Sequence, residues 1–204
     1  MNKKIVIFDF DGVIVDSFSM CLKIVDSREY ITEPEYRRRF EGNVFDAKRK
    51  FKDPNTTMES FDQHYAPEVM KCEPFKGMAD AIKALSEKYI LVIVSSTETV
   101  SIDSYLKSVN LRDYFKEILG SDVDRSKVKK IQRVLKDYKA EPTDAIFITD
   151  TLGDINEGDH CGVKSIAVTW GYNNKEVLEK GKPYAIVKEP AELTQKVTEF
   201  LSKK

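Results

Sequence analysis

The residues of this chain that can do chemistry fall in four short stretches. Asp9 and Asp11 stand two apart in KKIVIFDFDGVIVDS, and Ser95 and Ser96 end the apolar run YILVIVSS. Lys127 follows Ser126 in SKVKKIQRVL, and Asp150 and Asp154 stand four apart in DAIFITDTLGDI. Carboxylates driven into the end of an apolar run are costly unless a charge compensates them. Several carboxylates with no cluster of ligating His or Cys suit a hard cation, Mg²⁺ in particular, which shares its remaining positions with water and phosphate. A hydroxyl and an ammonium can hold the other phosphate oxygens. One carboxylate can then attack phosphorus and form an aspartyl-phosphate. A second, two residues away, can protonate the leaving oxygen and later deprotonate the attacking water.

Such a site needs elements that bring four distant stretches to one place. From residue 78 onward, helical and strand-like segments alternate. MADAIKALSEK, TVSIDSYLKSVNL, SKVKKIQRVLKDY (with Ser126 as its expected N-cap), DINEGDHCGV, NKEVLEKG and PAELTQKVTEFLSKK read as helices. YILVIV, EILGS, DAIFIT, KSIAVTWG and YAIVK read as strands, most of them unbroken apolar runs. Continuous apolar strands alternating with helices predict an α/β fold with a doubly wound, mainly parallel, Rossmann-like sheet covered on both faces. In such a sheet the functional crevice lies outside the carboxyl ends of the strands, where all four stretches project. Residues 17 to 75 break the alternation. They carry helical spacing and no strand-like run, and they return through prolines and a glycine. They read as a small helical cap inserted after the first strand, leaving 1–16 and 76–204 as the core.

With 204 residues, 41% of them hydrophobic, the chain is long enough for one ordinary core with a small insert. A net charge of -1 gives no basic excess for nucleic acid. The apolar runs fall far below the roughly 20 residues needed to span a bilayer, and acids interrupt the stretch a signal peptide would require. Three cysteines and no CxxC pair predict reduced thiols in a cytoplasmic protein.

The motif series DFDGVIVDS, VIVSS, SKVKKI and TDTLGDI, in this order, resembles the haloacid dehalogenase-like phosphohydrolases that carry a helical cap after the first motif. The segment VTWGYNNKEVLEKGKPYAIVKEPAEL resembles the tail of phosphoglycolate-phosphatase-like members. The resemblance implies that Asp9 is the nucleophile and Asp11 the general acid/base, with a backbone carbonyl offered to Mg²⁺. It implies that Ser95 and Lys127 face the phosphate, and that Asp150 and Asp154 complete the metal site with Asp9 and Asp11. Two features depart from the family pattern. Thr149 stands where Gly or Glu is usual, and the Pro that normally follows the third-motif Lys is missing, which leaves Lys129 and Lys130 as rivals of Lys127. The implied activity is hydrolysis of a small phosphorylated metabolite, phosphoglycolate first, by a monomer or homodimer without nucleic acid or membrane partners. A sugar phosphomutase of the same fold is the nearest alternative. A receiver-like or inactive phosphate-binding regulatory protein is a further one.

Ser96, Gly42 and Asn43 are expected to lie near the substrate, and one of Arg37, Arg38 and Arg39 is a candidate to reach it. The bland readings compete for several positions. Ser95 can be a plain helix cap, Asp154 can cap its own helix, and Asp16 and Ser17 read as hinge and cap. His64 and His160 have no partner motif, and Trp170 reads as core or rim packing.

Overall fold

The computed structural model describes residues 4–53, 55–56 and 59–202. Strand β1 (Ile5–Phe8) is buried along its whole length and sits at the centre of the sheet. It pairs in parallel with β2 (Ile90–Val94) on one side and β4 (Ala145–Thr149) on the other. With β3 (Phe115–Leu119), β5 (Lys164–Val168) and β6 (Ala185–Val187), the described residues form a six-stranded, all-parallel sheet in the order β3-β2-β1-β4-β5-β6. The order reverses between β1 and β4, which is where a doubly wound sheet opens its crevice.

The unbroken apolar strands follow from burial on both faces. Val6, Phe8, Leu91, Ile93, Ile146 and Ile148 pack into one hydrophobic cluster with α4 (Met78–Ser86), α5 (Thr99–Ser108) and α9 (Ala191–Leu201). Their neighbours Ile5, Ile7, Val92, Val94 and Phe147 pack into a second, against Ile131 and Val134 of α6 (Lys127–Tyr138). A smaller cluster joins α7 (Leu152–His160) and α8 (Lys175–Glu179) to β5.

The segment after β1 is helical, as its spacing predicts. It contains α1 (Phe18–Arg28), α2 (Glu33–Arg38), short 3₁₀ turns at Arg39–Glu41 and Val44–Asp46, and α3 (Glu59–Val69). Thr32 and Glu35 form a capping box that starts α2. Entry and exit run side by side: Asp16 N–H donates to the Glu73 carbonyl at 3.2 Å, and Phe75 N–H to Ile14 at 3.0 Å. Residues 17–75 therefore leave and rejoin the sheet side by side.

Two caps differ from expectation. The Ser126 hydroxyl makes no cap hydrogen bond; the Asp124 carboxylate instead accepts from the Ser126 N–H at 2.8 Å. Helix α7 begins at Leu152, two residues early, because Thr151 is the cap and its hydroxyl oxygen accepts from Asp154 N–H. Asp154 is thereby freed from the capping role and carried inward on the first turn.

That turn also receives the insertion. A Cβ on Gly153 would stand 2.3 Å from the Gly42 carbonyl oxygen and 3.1 Å from that of Phe40. Gly153→Ala must therefore push the 39–46 turns away, at roughly 1–3 kcal/mol. Faster amide exchange and protease cutting within residues 39–50, with the sheet still protected, is the expected outcome. Unchanged protection of those turns would show that they do not rest on α7.

Candidate active site

At the end of β1 the chain turns sharply enough to send Asp9 and Asp11 to different partners. Asp9 N–H donates to the Ile148 carbonyl at 2.9 Å, continuing the pairing with β4. Its carboxylate Oδ1 accepts from Phe10 N–H at 2.7 Å, and Oδ2 lies 2.8 Å from the Lys127 ammonium. Gly12 then adopts φ +72, and any Cβ there would meet the Asp150 carboxylate at 2.1 Å. A side chain at position 12 is excluded both by backbone conformation and by this close approach. The half-buried Asp11 carboxylate accepts from Tyr65 Oη at 2.7 Å and from Thr97 Oγ1 at 2.6 Å.

Three candidate lysines have three different fates. Lys127, at the start of α6, is buried and bridges Asp9 and Asp154 Oδ2, the latter at 2.7 Å. Burial works against the ammonium, but Asp154 and Asp9 outweigh it and hold Lys127 above its ordinary range. Lys130 donates to the carbonyls of Ser95 and Gly120, tying the loops after β2 and β3 together. Burial and the charge of Lys127 push it down to about 8. Lys129 is exposed and pairs with Asp124.

The end of β4 supplies two further acids. Asp154 Oδ2 also accepts from the Thr149 hydroxyl at 2.7 Å, so the unusual Thr before Asp150 has a specific task. Burial opposes the Asp154 carboxylate, but Lys127 and the hydrogen bonds to it keep it below the usual range. Asp150 is fully buried. Its Oδ2 accepts from Tyr172 N–H at 2.6 Å, while Oδ1 has no hydrogen-bond partner. Burial, and secondarily the charge of Asp154, push Asp150 up to about 7 against the Tyr172 N–H. Asp9 is raised as well, by burial and by Asp154 and Asp150, against the pull of Lys127.

Asp9, Asp11, Ser95, Ser96, Lys127, Asp154, Gly42 and Asn43 all line one cavity of about 290 Å³ between the strand ends and the insertion. Asp150 lies beneath it. Ser95 does not cap α5; its Oγ accepts from Thr97 N–H at 3.1 Å and holds its own loop. Asn43 donates to Glu157 at 3.2 Å and joins the insertion to α7. None of the three consecutive arginines lines the cavity. Arg37 lies over the Phe18 ring and donates to the Tyr172 carbonyl, while Arg39 binds Glu29. The cavity arginines are Arg49 and Arg125, which the helical spacing gave no reason to single out. Tyr65 was legible only as part of an apolar stripe with Phe61 and Val69, and Thr97 only as the next residue after Ser96. His160 is exposed, and Trp170 packs at the rim, donating to the Val13 carbonyl at 3.2 Å.

The donor set fits a hard divalent ion. It offers only oxygens, and the buried, unpartnered Asp150 Oδ1 asks for a positive charge. Among the described residues, no three His, Cys, Asp or Glu side chains close on one point. Asp11 is turned toward Tyr65 and Thr97, and Asp154 toward Lys127 and Thr149. Asp9 and Asp150 are the two carboxylates held above the usual range, which such an ion would relieve, and two carboxylates suit Mg²⁺.

The family model for haloacid dehalogenase-like hydrolases matches residues 6–168, the span from β1 to the end of β5. The chain belongs to this family. Among haloacid dehalogenase-like relatives, the phosphoglycolate phosphatase of Synechococcus elongatus is 25% identical over 207 residues, covering 96% of this chain and 98% of that protein. A pyrophosphatase of Anoxybacillus flavithermus is 26% identical over 220 residues, covering 99% and 97%. The solved structure of a haloacid dehalogenase-like hydrolase from Streptococcus pneumoniae superposes with a TM-score of 0.74, at 21% identity, over 95% of this chain and 98% of the other. That likeness speaks to the fold, including the six-stranded parallel arrangement. No helix among the described residues is long and apolar enough to cross a membrane.

Asp150 gives this haloacid dehalogenase-like core a pH signature. A carboxyl raised in the folded state contributes its stability below the ordinary carboxylate pKa and loses it as pH rises through about 7. Asp150→Asn keeps an acceptor for the Tyr172 N–H and cannot ionise. Without added divalent cation, the variant is expected to be more stable than the parent at pH 8, on the order of 2–4 kcal/mol. The gap should close by about pH 4. Thermal melts at both pH values check this, and a gap of equal size at both would refute it.

Proposed function

We propose that this chain is a Mg²⁺-dependent phosphatase that hydrolyses a small phosphomonoester through a phosphorylated Asp9, with phosphoglycolate the first substrate to test. The observation that carries the reading is the Lys127 ammonium bridging Asp9 and Asp154, with Asp11 held two residues away on a different set of partners. In this reading residues 17–75 act as the cap, and 1–16 with 76–204 form the catalytic core. The cavity of about 290 Å³ admits a small ester and leaves little room for a polymer. The relatives named phosphoglycolate phosphatase and pyrophosphatase supply the first two compounds of a substrate panel. Three free cysteines agree with a cytoplasmic setting.

Asp9 Oδ2 attacks phosphorus as the ester P–O bond breaks, and Asp11 gives its proton to the departing alcohol oxygen. Asp11, now a carboxylate, takes a proton from water as that water's oxygen attacks phosphorus. The bond to Asp9 breaks, and inorganic phosphate leaves. Lys127 keeps Asp9 oriented and offsets negative charge on the phosphoryl group. Ser95 and the main chain it braces hold a phosphoryl oxygen. Tyr65 and Thr97 hold the Asp11 carboxyl in reach of the leaving oxygen. Mg²⁺, bound by Asp9, Asp150 and the Asp11 main-chain carbonyl, would supply further charge neutralisation and orient the phosphoryl group. The cap excludes bulk water and limits the size of the leaving group.

Release of inorganic phosphate from phosphoglycolate, pyrophosphate and an aryl phosphate, with and without Mg²⁺, tests the reading. Asp9→Asn is expected to lower kcat by roughly 10³-fold or more. Asp11→Asn should cost about 10²–10⁴-fold. Failure of every compound to release phosphate with Mg²⁺, or full activity in Asp9→Asn, would sink the proposal.

A further inference from the structure

The charges around Glu29, beside the cavity, do not balance among themselves. Glu29, which ends α1, pairs with two arginines: Arg39 Nη2 lies 2.5 Å from Oε2, and Arg49 Nη1 lies 3.3 Å from Oε1. The three side chains are 4%, 8% and 13% exposed in the order Glu29, Arg39, Arg49, so water does little to neutralise them. One positive charge is left over in a dry place, and a buried charge without a partner is expensive. Arg39 Nη1 is buried with no hydrogen-bond partner at all. Arg49 donates from Nη2 to the Val44 carbonyl at 3.1 Å and lines the cavity, with much of its five-donor fork still available.

The surroundings of Arg49 favour an anion. Val25, Phe40, Val44 and Phe45 line the cavity alongside it, and apolar walls strengthen any ion pair formed there. The cavity's other acids stand on other elements: Asp62 on α3, Glu98 before α5, Asp122 after β3 and Glu157 on α7. Asp122 accepts from Thr99, and Glu157 accepts from Asn43 and Lys127 N–H, while Asp62 is repelled by Glu98 and drawn by Arg28. The surplus cation therefore sits on the 39–51 stretch and lines the same cavity as the Asp9–Lys127 pair to which the phosphoryl group is assigned.

We propose that Arg49, backed by Arg39 over the shared Glu29, is the subsite for a second anionic group on the leaving-group side of the substrate. This rests on the phosphatase reading and narrows it to substrates whose leaving group carries a carboxylate or is itself a phosphate. The guanidinium fork takes either in bidentate fashion. The insertion thus selects by charge as well as by size.

Four small compounds separate the cases: phosphoglycolate, pyrophosphate, the uncharged isostere 2-hydroxyethyl phosphate and the cationic phosphoethanolamine. The parent protein is expected to prefer at least one of the two anionic compounds over 2-hydroxyethyl phosphate by about 10- to 100-fold in kcat/KM. Phosphoethanolamine should be the poorest. Which anionic compound leads tells carboxylate from phosphate. Arg49→Gln should erase the preference through KM while leaving turnover of 2-hydroxyethyl phosphate within about threefold. Arg49→Lys should restore part of it. Because Arg49→Gln leaves one arginine for one glutamate, its melting temperature should hold or rise, which separates recognition from folding. A parent that shows no preference for an anionic alcohol part, or a variant that loses all compounds equally, overturns the subsite. Calorimetry with glycolate alone reads the subsite without catalysis: binding by the parent that Arg49→Gln loses supports it. A carboxylate that neither protein binds, together with no anionic preference in turnover, rules it out. Anionic preference with an inactive Asp9→Gln control keeps the phosphatase reading intact. Mg²⁺-dependent turnover with no preference removes the subsite alone.

Discussion

The site is organised by a charge imbalance in a place that water does not reach. Asp9, Asp150 and Asp154 are all buried, and Lys127 is the ammonium they share. Lys127 contacts two of them directly, and the imbalance is divided unequally. Asp154, bound by Lys127 and Thr149, is held below the usual range, whereas Asp9 and Asp150 are pushed above it. Those two raised carboxyls are the ones that either protons or a divalent cation can neutralise. Under the proposed reading, Mg²⁺ takes the place of those protons, so its affinity falls as pH falls. The same arithmetic explains why Thr149 is tolerated in place of the family's usual residue. Its hydroxyl helps keep Asp154 ionised and facing Lys127.

A second constraint ties the insertion to that charge centre. The loop after β5 reaches Asp150 with its backbone, through Tyr172 N–H on Oδ2 and Asn173 N–H on the Asp150 carbonyl. The same two residues reach the insertion. The Tyr172 ring packs edge-on against Phe18 and Phe40, its hydroxyl meets Ser17, and its carbonyl accepts from Arg37. Asn173 accepts from Leu152 N–H at 2.9 Å and donates to the Arg37 carbonyl at 3.2 Å. The close packing of Gly12 and Gly171 on the Asp150 carboxylate leaves it little freedom to shift alone. Movement of the 18–40 helices is thus felt at Asp150 through two residues. Arg37 acts here as a strut between insertion and core, and does not line the cavity.

Much of this was readable in the chain because a parallel sheet imposes simple rules. Strands buried on both faces show unbroken apolar runs, and their carboxyl ends share an edge, so Asp9, Ser95, Lys127 and Asp150 were bound to approach one another. The contacts across the insertion were not readable in that way. Whether Arg37, Arg39 or Arg49 faces the cavity depends on how the turns at Arg39–Glu41 and Val44–Asp46 rotate the chain. No periodicity extends through such turns. Tyr65 looked like any other apolar-face residue of α3, since only the docked position of that helix places its hydroxyl on Asp11. Helix caps were misread for a related reason. Ser126 has the right side chain for a cap, but Asp124 takes the N–H of Ser126 itself, and Thr151 takes that of Asp154.

Under the phosphatase reading, a two-residue separation divides labour between the two aspartates of the first motif. Asp9 ends a central strand and is sealed between β4 and α6, where Lys127 and burial govern it. Asp11 lies beyond the turn and is half-buried, with one oxygen on Thr97 from the core and the other on Tyr65 from the insertion. A nucleophile needs a fixed, dry position, which the sheet provides whatever the insertion does. A group that must pass a proton to a leaving alcohol needs to be held beside that alcohol and shielded from bulk water, and here half of its hold comes from α3. Under the phosphatase reading, displacement of the insertion would strip Asp11 of Tyr65 while leaving Asp9 and Lys127 in contact. Bond formation to phosphorus is thus assigned to the core, and proton transfer to core and insertion jointly, so that leaving-group departure is completed only where the cap is seated.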